Sequence, residues 1–314
     1  MSLAAWRRSA QPGRLRRWAL VAAALALAAS FVQPVLQLER PRFEQVIVLD
    51  ITQSMNVADE RLDGRPVSRL AFAKQALRQA VEALPCGSKV GWAIFTEYRS
   101  YLLIAPIEVC AHRAEWRATL AAIDNRMAWS GNSEIAKGLH SGLGIARLLP
   151  GKPSIVFVSD GHEAPPLAPR DRPQFDDDKP GEIRGVIVGV GALEPSPIPK
   201  TDPRGRPLGW WRADEVAQTD PRRDDGRASG DAAPGANPVP GNEQLSSLRE
   251  TYLRLLASDK GLAYHRLRVA DGLAAALQAP ELARPVLAPV DLRWGLALLA
   301  LGALLSAAWP GSRH

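Results

Sequence analysis

The sequence predicts an α/β domain built on a doubly wound, mostly parallel sheet of six strands with one antiparallel edge strand. Three observations point there. Apolar runs of strand length alternate with helical patterns through the middle of the chain. Several of those runs are apolar at every position, as strands covered on both faces must be. Two of them, Val46–Leu49 and Ser154–Ser159, run directly into an aspartate, Asp50 and Asp160. Open sheets of this kind bind ligands at the carboxyl ends of their strands, where the strand order reverses.

The elements follow in order. Val46–Leu49 is the first strand. Ser68–Leu84 reads as a helix, with Ser68 as its cap and Leu70, Ala73, Leu77, Ala80, Val81 and Leu84 on one stripe; Pro85 and Gly87 end it. "KVGWAIF" (Lys89–Phe95) and "YLLIAPI" (Tyr101–Ile107) are strands joined by "TEYRS", short enough for a hairpin, and they supply the antiparallel pair. Helices are expected over Trp116–Ile123 and Ser133–Leu149, the latter with Ile135, Leu139, Leu143 and Leu148 facing inward. "SIVFVS" (Ser154–Ser159) and "GVIVGVG" (Gly185–Gly191) are strands, Leu245–Ala257 is a helix, and "GLAYHRL" (Gly261–Leu267) is the last strand. Glu163–Gly181 and Pro195–Gly241 are rich in Pro, Asp and Gly and fit no regular element; the second reads as an excursion of about 195–241. Within it, Trp210-Trp211 is costly to expose, so the pair is expected to pack back on the domain, the alternative being a partner contact.

The chain of 314 residues carries a net charge of +6 and a sequence pI of about 9.6, yet that charge does not mark a nucleic-acid surface. Arg7, Arg8, Arg14, Arg16 and Arg17 crowd the first seventeen residues, and Arg293 and Arg313 flank the last apolar run. Setting those seven aside leaves 32 of the 39 basic residues against 33 acidic ones. The excess belongs to the ends, and no nucleic-acid partner is expected.

Each end also carries an apolar run. Trp18–Leu38 is uncharged and long enough for a membrane span, with a cleaved signal peptide as the alternative; Trp294–Trp309 is shorter and bordered by tryptophan, with a buried core helix as the alternative. Two transmembrane helices are therefore expected, at 18–38 and 292–309. They would leave residues 1–17 and 310–314 in the cytoplasm, a domain over 39–280 outside, and a linker at 281–291. That placement is the bacterial inner membrane with the domain in the periplasm. The two cysteines, Cys86 and Cys110, flank the expected hairpin and would be neighbours, so they are expected to form a disulfide in an oxidising compartment.

The chemistry is concentrated in "VIVLDITQSMN". Beyond the strand, Asp50, Thr52 and Ser54 alternate, so their oxygens can converge on one point. Carboxylate and hydroxyl oxygens are hard ligands, suited to Mg²⁺ or Ca²⁺. Asp160 offers a second carboxylate at another strand end, and Ser133 in "WSGNSEIAKG" offers a third hydroxyl before a helix. Five oxygens would leave one octahedral position open.

These three loops resemble the metal-ion-dependent adhesion site of the von Willebrand factor A domain over roughly Gln45–Leu273. Thr52 stands where that family has serine, and Ser133 where it has threonine, so both hydroxyls are kept. The resemblance implies a divalent cation whose open position takes a carboxylate from a partner protein. "LDITQSMNVAD", "LPCGSKVGWAIFTEYRS", "GNSEIAKGL" and "SDGHEAPP" also look like bacterial membrane-anchored A-domain proteins encoded with MoxR-type ATPases, in particular the L-type accessory proteins of methanol-dehydrogenase gene clusters. That resemblance implies an assembly factor, involved in calcium insertion into a periplasmic quinoprotein dehydrogenase. It also implies other membrane A-domain proteins and a MoxR-type ATPase as partners. A component of a stress-tolerance membrane complex is the alternative within the same family.

Other motifs read more plainly. His162 lies in "SDGHEAPP", whose prolines forbid a zinc-protease helix, and is expected at the rim of the metal site as a partner contact. His112, His140 and His265 have no ligand spacing. Ser54 has no G-x-S-x-G elbow, and "GVGA" lacks the dinucleotide fingerprint. Asp176–Asp178 reads as a solvated loop, with a weak calcium site as the alternative. With no evident base or nucleophile, the expectation is a non-enzymatic docking module, and a metal-assisted hydrolase is the enzymatic alternative.

Overall fold

A computed structural model of the chain describes residues 12–32, 35–167, 171–177, 179–202, 204–216 and 242–308. Residues 42–284 form one compact unit; residues 1–41 and 285–314 belong to a second. The sheet of the larger unit has six strands: β1 (Glu44–Asp50), β2 (Lys89–Thr96), β3 (Arg99–Glu108), β4 (Ser154–Ser159), β5 (Gly185–Gly189) and β6 (Ala263–Arg266). Their spatial order is β6-β5-β4-β1-β2-β3. All neighbours are parallel except β2 and β3. The order reverses between β1 and β4, so the carboxyl ends that carry Asp50 and Asp160 flank the crevice where such sheets bind ligands.

Helices cover both faces because alternate residues of the central strands are apolar on both sides. Ile47 and Leu49 join a core with α1 (Arg69–Glu82), α2 (Arg113–Ala122) and α5 (Leu273–Leu277). Val46 and Val48 join a second core with α3 (Ile135–Leu148) and α4 (Glu250–Lys260). Ser68 caps α1 by accepting a hydrogen bond from the Ala71 amide at 3.1 Å. Helix α3 lies so close to the sheet that a Cβ at Gly138 would fall 2.1 Å from the Phe95 ring. Glycine there sets the depth of the helix that follows the Ser133 loop.

Three expectations need correction. The helix placed at Leu245–Ala257 starts at Glu250, because Leu245-Ser246 pairs as a short strand with Ser196-Pro197. The Leu248 and Arg249 amides then bond to the Ala192 and Asp160 carbonyls instead of a helical turn. The 195–241 excursion is partly regular: Pro199–Thr201 and Pro207–Trp210 form a hairpin, whereas 217–241 lies outside the described residues.

The two transmembrane helices are the third correction: no described helix is long and apolar enough to cross a membrane. The first helix runs Pro12–Phe31 and so includes Arg14, Arg16 and Arg17. The end of the apolar run is a strand, Val35–Arg42, which pairs with Arg284–Asp291 where a linker was expected. That leaves the helix only the apolar stretch from Trp18 to Phe31, ~21 Å at the helical rise and short of a bilayer core. The last helix, Arg293–Ala308, has 16 residues, ~24 Å. The two helices pack against each other. Residues 1–11 and 309–314, which include the rest of the basic start and the tail, lie outside the described residues.

The β2–β3 hairpin turns at Glu97-Tyr98, with Glu97 in the left-handed region at φ 60°. Its register sets Lys89 opposite Glu108, which brings Cys86 and Cys110 together as a disulfide with Cα atoms 5.4 Å apart. The bridge closes a loop with a sequence separation of 24. Labelling of the denatured, unreduced protein should find no free thiol, and Cys86→Ser should lower stability by about 3 kcal/mol in denaturant titration. Two reactive thiols before reduction would contradict the pairing.

Candidate metal centre

The site grows from the end of β1. Asp50 is fully buried, and its Oδ1 accepts from the Thr52 amide at 2.9 Å and the Thr52 hydroxyl at 2.7 Å. This tight local turn makes residues 50, 52 and 54 converge. The Thr52 and Ser54 hydroxyls lie 3.4 Å apart. Across the strand boundary, Ser159, the last residue of β4, donates to Asp50 Oδ2 at 2.7 Å. The same hydroxyl accepts from the Gly161 amide at 2.9 Å, so the first and third loops share one serine.

Asp160 is also fully buried. Its Oδ1 accepts from the His162 amide at 3.0 Å, and its Oδ2 accepts from Arg69 Nη1 at 2.6 Å and Ser246 at 3.2 Å. Gly161 takes φ +77°, and a Cβ there would stand 2.9 Å from Leu253 Cγ, so the S-D-G turn requires glycine. Arg69 is wholly buried at the start of α1. Besides Asp160 it binds both oxygens of Asp59 through Nε at 3.0 Å, the Ser246 hydroxyl at 2.7 Å and the Ser246 carbonyl at 3.0 Å. A buried guanidinium so fully paired is stable, and removing either partner of such a pair typically costs about 3–5 kcal/mol.

The second loop is pinned from two sides. Ser133 exchanges backbone bonds with Ala164, at 2.6 and 2.8 Å, and the Glu134 amide donates to the Glu97 carbonyl at 2.6 Å. Glu163 accepts from the Ile135 and Ala136 amides at 3.1 and 3.3 Å and from the Tyr252 hydroxyl at 2.5 Å, which anchors the first turn of α3. Ser133 is thus fixed by its backbone, while its buried hydroxyl has no hydrogen-bond partner among the described residues.

Thr52, Ser54 and Ser133 line a cavity of about 350 Å³, together with Gln53, His162, Glu163 and Trp211. The electrostatics beneath it are unequal. Burial, and then the neighbouring Asp160, push the Asp50 carboxyl up to about 7. Burial also works against the charge of Asp160, but Arg69 overrides it and holds that carboxyl below the usual range. Burial lowers His162, so its imidazole is neutral at pH 7, and its buried Nδ1 has no partner among the described residues. The donor set fits a hard divalent cation: two carboxylates, three hydroxyls, one hydroxyl oxygen left unsatisfied, and a carboxyl whose charge lacks a full counterpart.

Of the five expected ligands, Thr52, Ser54 and Ser133 line this cavity, whereas Asp50 and Asp160 are fully buried outside that lining, Asp50 held by Thr52 and Ser159 and Asp160 by the His162 amide. Of the expected rim residues, His162 and Trp211 line the cavity, whereas Trp210 is 64% exposed and stands outside that lining. The tandem tryptophans therefore divide: one packs back and one does not. Asp177 pairs with Arg147 at 3.5 Å in an exposed loop, and Asp178 lies outside the described residues. Sequence reasoning missed Arg69, Asp59, Ser159, Ser246 and Glu163. Arg69 and Asp59 carry no motif, and Ser246 was assigned to a helix. Ser159 was in view as the serine of S-D-G, but only as the end of a strand.

No protein-family model and no curated protein matches the chain. Among solved structures, it is similar to an aerotolerance-related membrane protein from Bacteroides fragilis NCTC 9343, at 18% identity, covering 76% of this chain and 98% of that one, with a TM-score of 0.49. It is similar to a conserved hypothetical protein BatB from Bacteroides thetaiotaomicron, at 18% identity, covering 75% and 95%, with a TM-score of 0.48. It is also similar to a von Willebrand factor type A structure from Catenulispora acidiphila, at 14% identity, covering 79% and 44%, with a TM-score of 0.43.

The buried carboxyls have a pH signature. Asp50 and Glu163 are both raised to about 7 in the fold, chiefly by burial. Each binds its proton more tightly folded than unfolded, so its stabilising contribution is full below about pH 4 and is lost as pH rises through 7. In EDTA, the thermal midpoint should fall between pH 5 and pH 8. Asp50→Asn should flatten that fall and be the more stable protein at pH 8, by on the order of 2 kcal/mol. A wild-type profile that stays level would contradict the buried charge.

Proposed function

We propose that the chain is a non-enzymatic docking module of the von Willebrand factor A type that grips a carboxylate of a partner protein. One observation carries the reading: the Ser133 hydroxyl is buried and without a partner among the described residues, and Ser133 lines the same cavity as Thr52 and Ser54. A divalent cation, Mg²⁺ or Ca²⁺, held by Asp50, Thr52, Ser54, Ser133 and Asp160 supplies a positive centre with one position open to a partner's carboxylate. The protein's own contribution is preorganisation. Asp50 aligns Thr52, Ser159 ties the two carboxylate loops together, and Glu163 with Ala164 holds Ser133 in place.

The helical unit suits membrane attachment. Leu25 is 65% exposed, and Leu298, Leu299 and Leu305 are 58%, 67% and 60% exposed, an apolar surface that water does not favour. The disulfide favours an oxidising compartment for the larger unit. For the client, the sequence resemblance proposes a periplasmic quinoprotein dehydrogenase under assembly, with a MoxR-type ATPase system in support. A stress-tolerance membrane complex is the competing proposal, and the identity of the captured protein separates them. Metal-assisted hydrolysis is the enzymatic alternative, with the neutral His162 on the cavity wall as its base.

Calorimetry with Mg²⁺ and Ca²⁺ should show one site per chain. Ser133→Ala, which removes no bond of that side chain among the described residues, should weaken it about tenfold with little change in metal-free stability. Asp160→Ala should abolish binding. Partner captured without crosslinking in a pull-down from native membranes should be released by EDTA, and partner retained in EDTA would sink the docking reading.

A further inference from the structure

The Ser196–Val216 segment does more than cross the surface. The Trp211 indole Nε1 donates to Gln53 Oε1, and Gln53 sits between Thr52 and Ser54, two of the hydroxyls of the first loop. Trp211 is itself held by two further contacts. Its amide donates to the Ile198 carbonyl at 3.0 Å, Lys200 Nζ lies 4.5 Å from its ring centroid, and that ammonium is fixed by Glu215 at 2.6 Å. Gln53, Gly131 and Trp211 line the same cavity, so the strap formed by Ser196–Val216 bonds the first loop where the second loop also contributes to the wall.

The local turn fixes Asp50 and Thr52 but does less for the rest of the loop. Asp50 bonds the amide and hydroxyl of Thr52, whereas Gln53–Asn56 is a short 3-10 turn with no side-chain cap. Backbone bonds from Met55 to Thr52 and from Val57 to Ser54 close that turn, and the Gln53 side chain is left to reach outward. The indole bond to Gln53 comes from a segment 158 residues away in sequence and joins the loop between two of its hydroxyls.

We propose that Trp211, acting through Gln53, is a positioning residue that sets the Thr52 and Ser54 hydroxyls for the cation, so that the strap tunes cation affinity without contributing a ligand. The inference rests on the cation reading of the site. Trp211→Phe keeps an aromatic ring and removes the donor; Gln53→Met keeps the length and removes the side-chain amide. In the full chain, Mn²⁺ affinity measured by electron paramagnetic resonance should weaken about fivefold in each variant, the loss of one net hydrogen bond. The double variant should be no weaker than either single, since both remove the same contact. The thermal midpoint in EDTA should fall slightly and alike in both variants, since the bond is made without the cation, so Mn²⁺ affinity is the readout that a purely structural role would not move. Wild-type affinity in Trp211→Phe, or losses that add in the double variant, would overturn the positioning role while leaving the cation site standing. A wild type that binds no Mn²⁺ would overturn both.

Discussion

Two carboxylates buried side by side at the ends of neighbouring parallel strands are the constraint around which this domain is arranged. Neither can be left charged in a dry interior without compensation. The fold answers the two differently. Asp160 receives a guanidinium, and Asp50 receives only hydroxyls and an amide. Much of the surrounding architecture serves the first answer. Arg69 must be delivered to the end of the sheet, so α1 begins there. Asp59 must turn back to clasp it, and Ser246 must leave its helix to reach it. The Arg249 amide then closes on the Asp160 carbonyl at 2.8 Å, which seats α4 on the third loop.

That arrangement explains which parts of the molecule could be read in advance. The strands and most helices announce themselves through local periodicity, because burial on two faces leaves little freedom in composition. The five cation-site oxygens are legible for a similar reason: alternation after a strand is a short-range geometric statement, and S-D-G and G-N-S repeat it at two other strand or helix ends. Arg69 is not legible. In "SRLAFAK" it reads as a solvated helix residue, and its partners Asp160 and Ser246 lie 91 and 177 residues away. The same blindness accounts for Leu245-Ser246, whose apolar start looks helical until Ser196-Pro197 pairs with it. At the termini the apolar runs were visible, but whether they are wholly helical depends on a strand pairing between Val35–Arg42 and Arg284–Asp291 that no local pattern encodes.

The tandem tryptophans show the limit of reasoning by composition. Their cost of exposure is shared by both residues, yet the outcome is not. Trp211 gains an amide acceptor for its N–H, a cation over its face and a wall of the cavity to stand in, while Trp210 completes a hairpin and stays in solvent. An indole has one polar handle, and where that handle finds an acceptor decides which ring is buried.

The unequal treatment of the two carboxylates also gives the site its chemical character. Arg69 is shared between Asp59 and Asp160, and Asp50 has no basic side chain of its own, so negative charge beneath the cavity is left uncompensated. That charge has two ways to be met. A proton meets it, which is why the carboxyl is pushed up to about 7; a cation above Thr52, Ser54 and Ser133 meets it without protonation. The two occupants exclude one another at Asp50, and only the second uses the Ser133 hydroxyl that is otherwise without a partner among the described residues. A site that kept both aspartates free of Arg69 would hold a cation more tightly but would be harder to fold without one, since two adjacent buried charges repel. Placing a fixed positive charge beside one carboxylate lets the domain fold without an ion in the site.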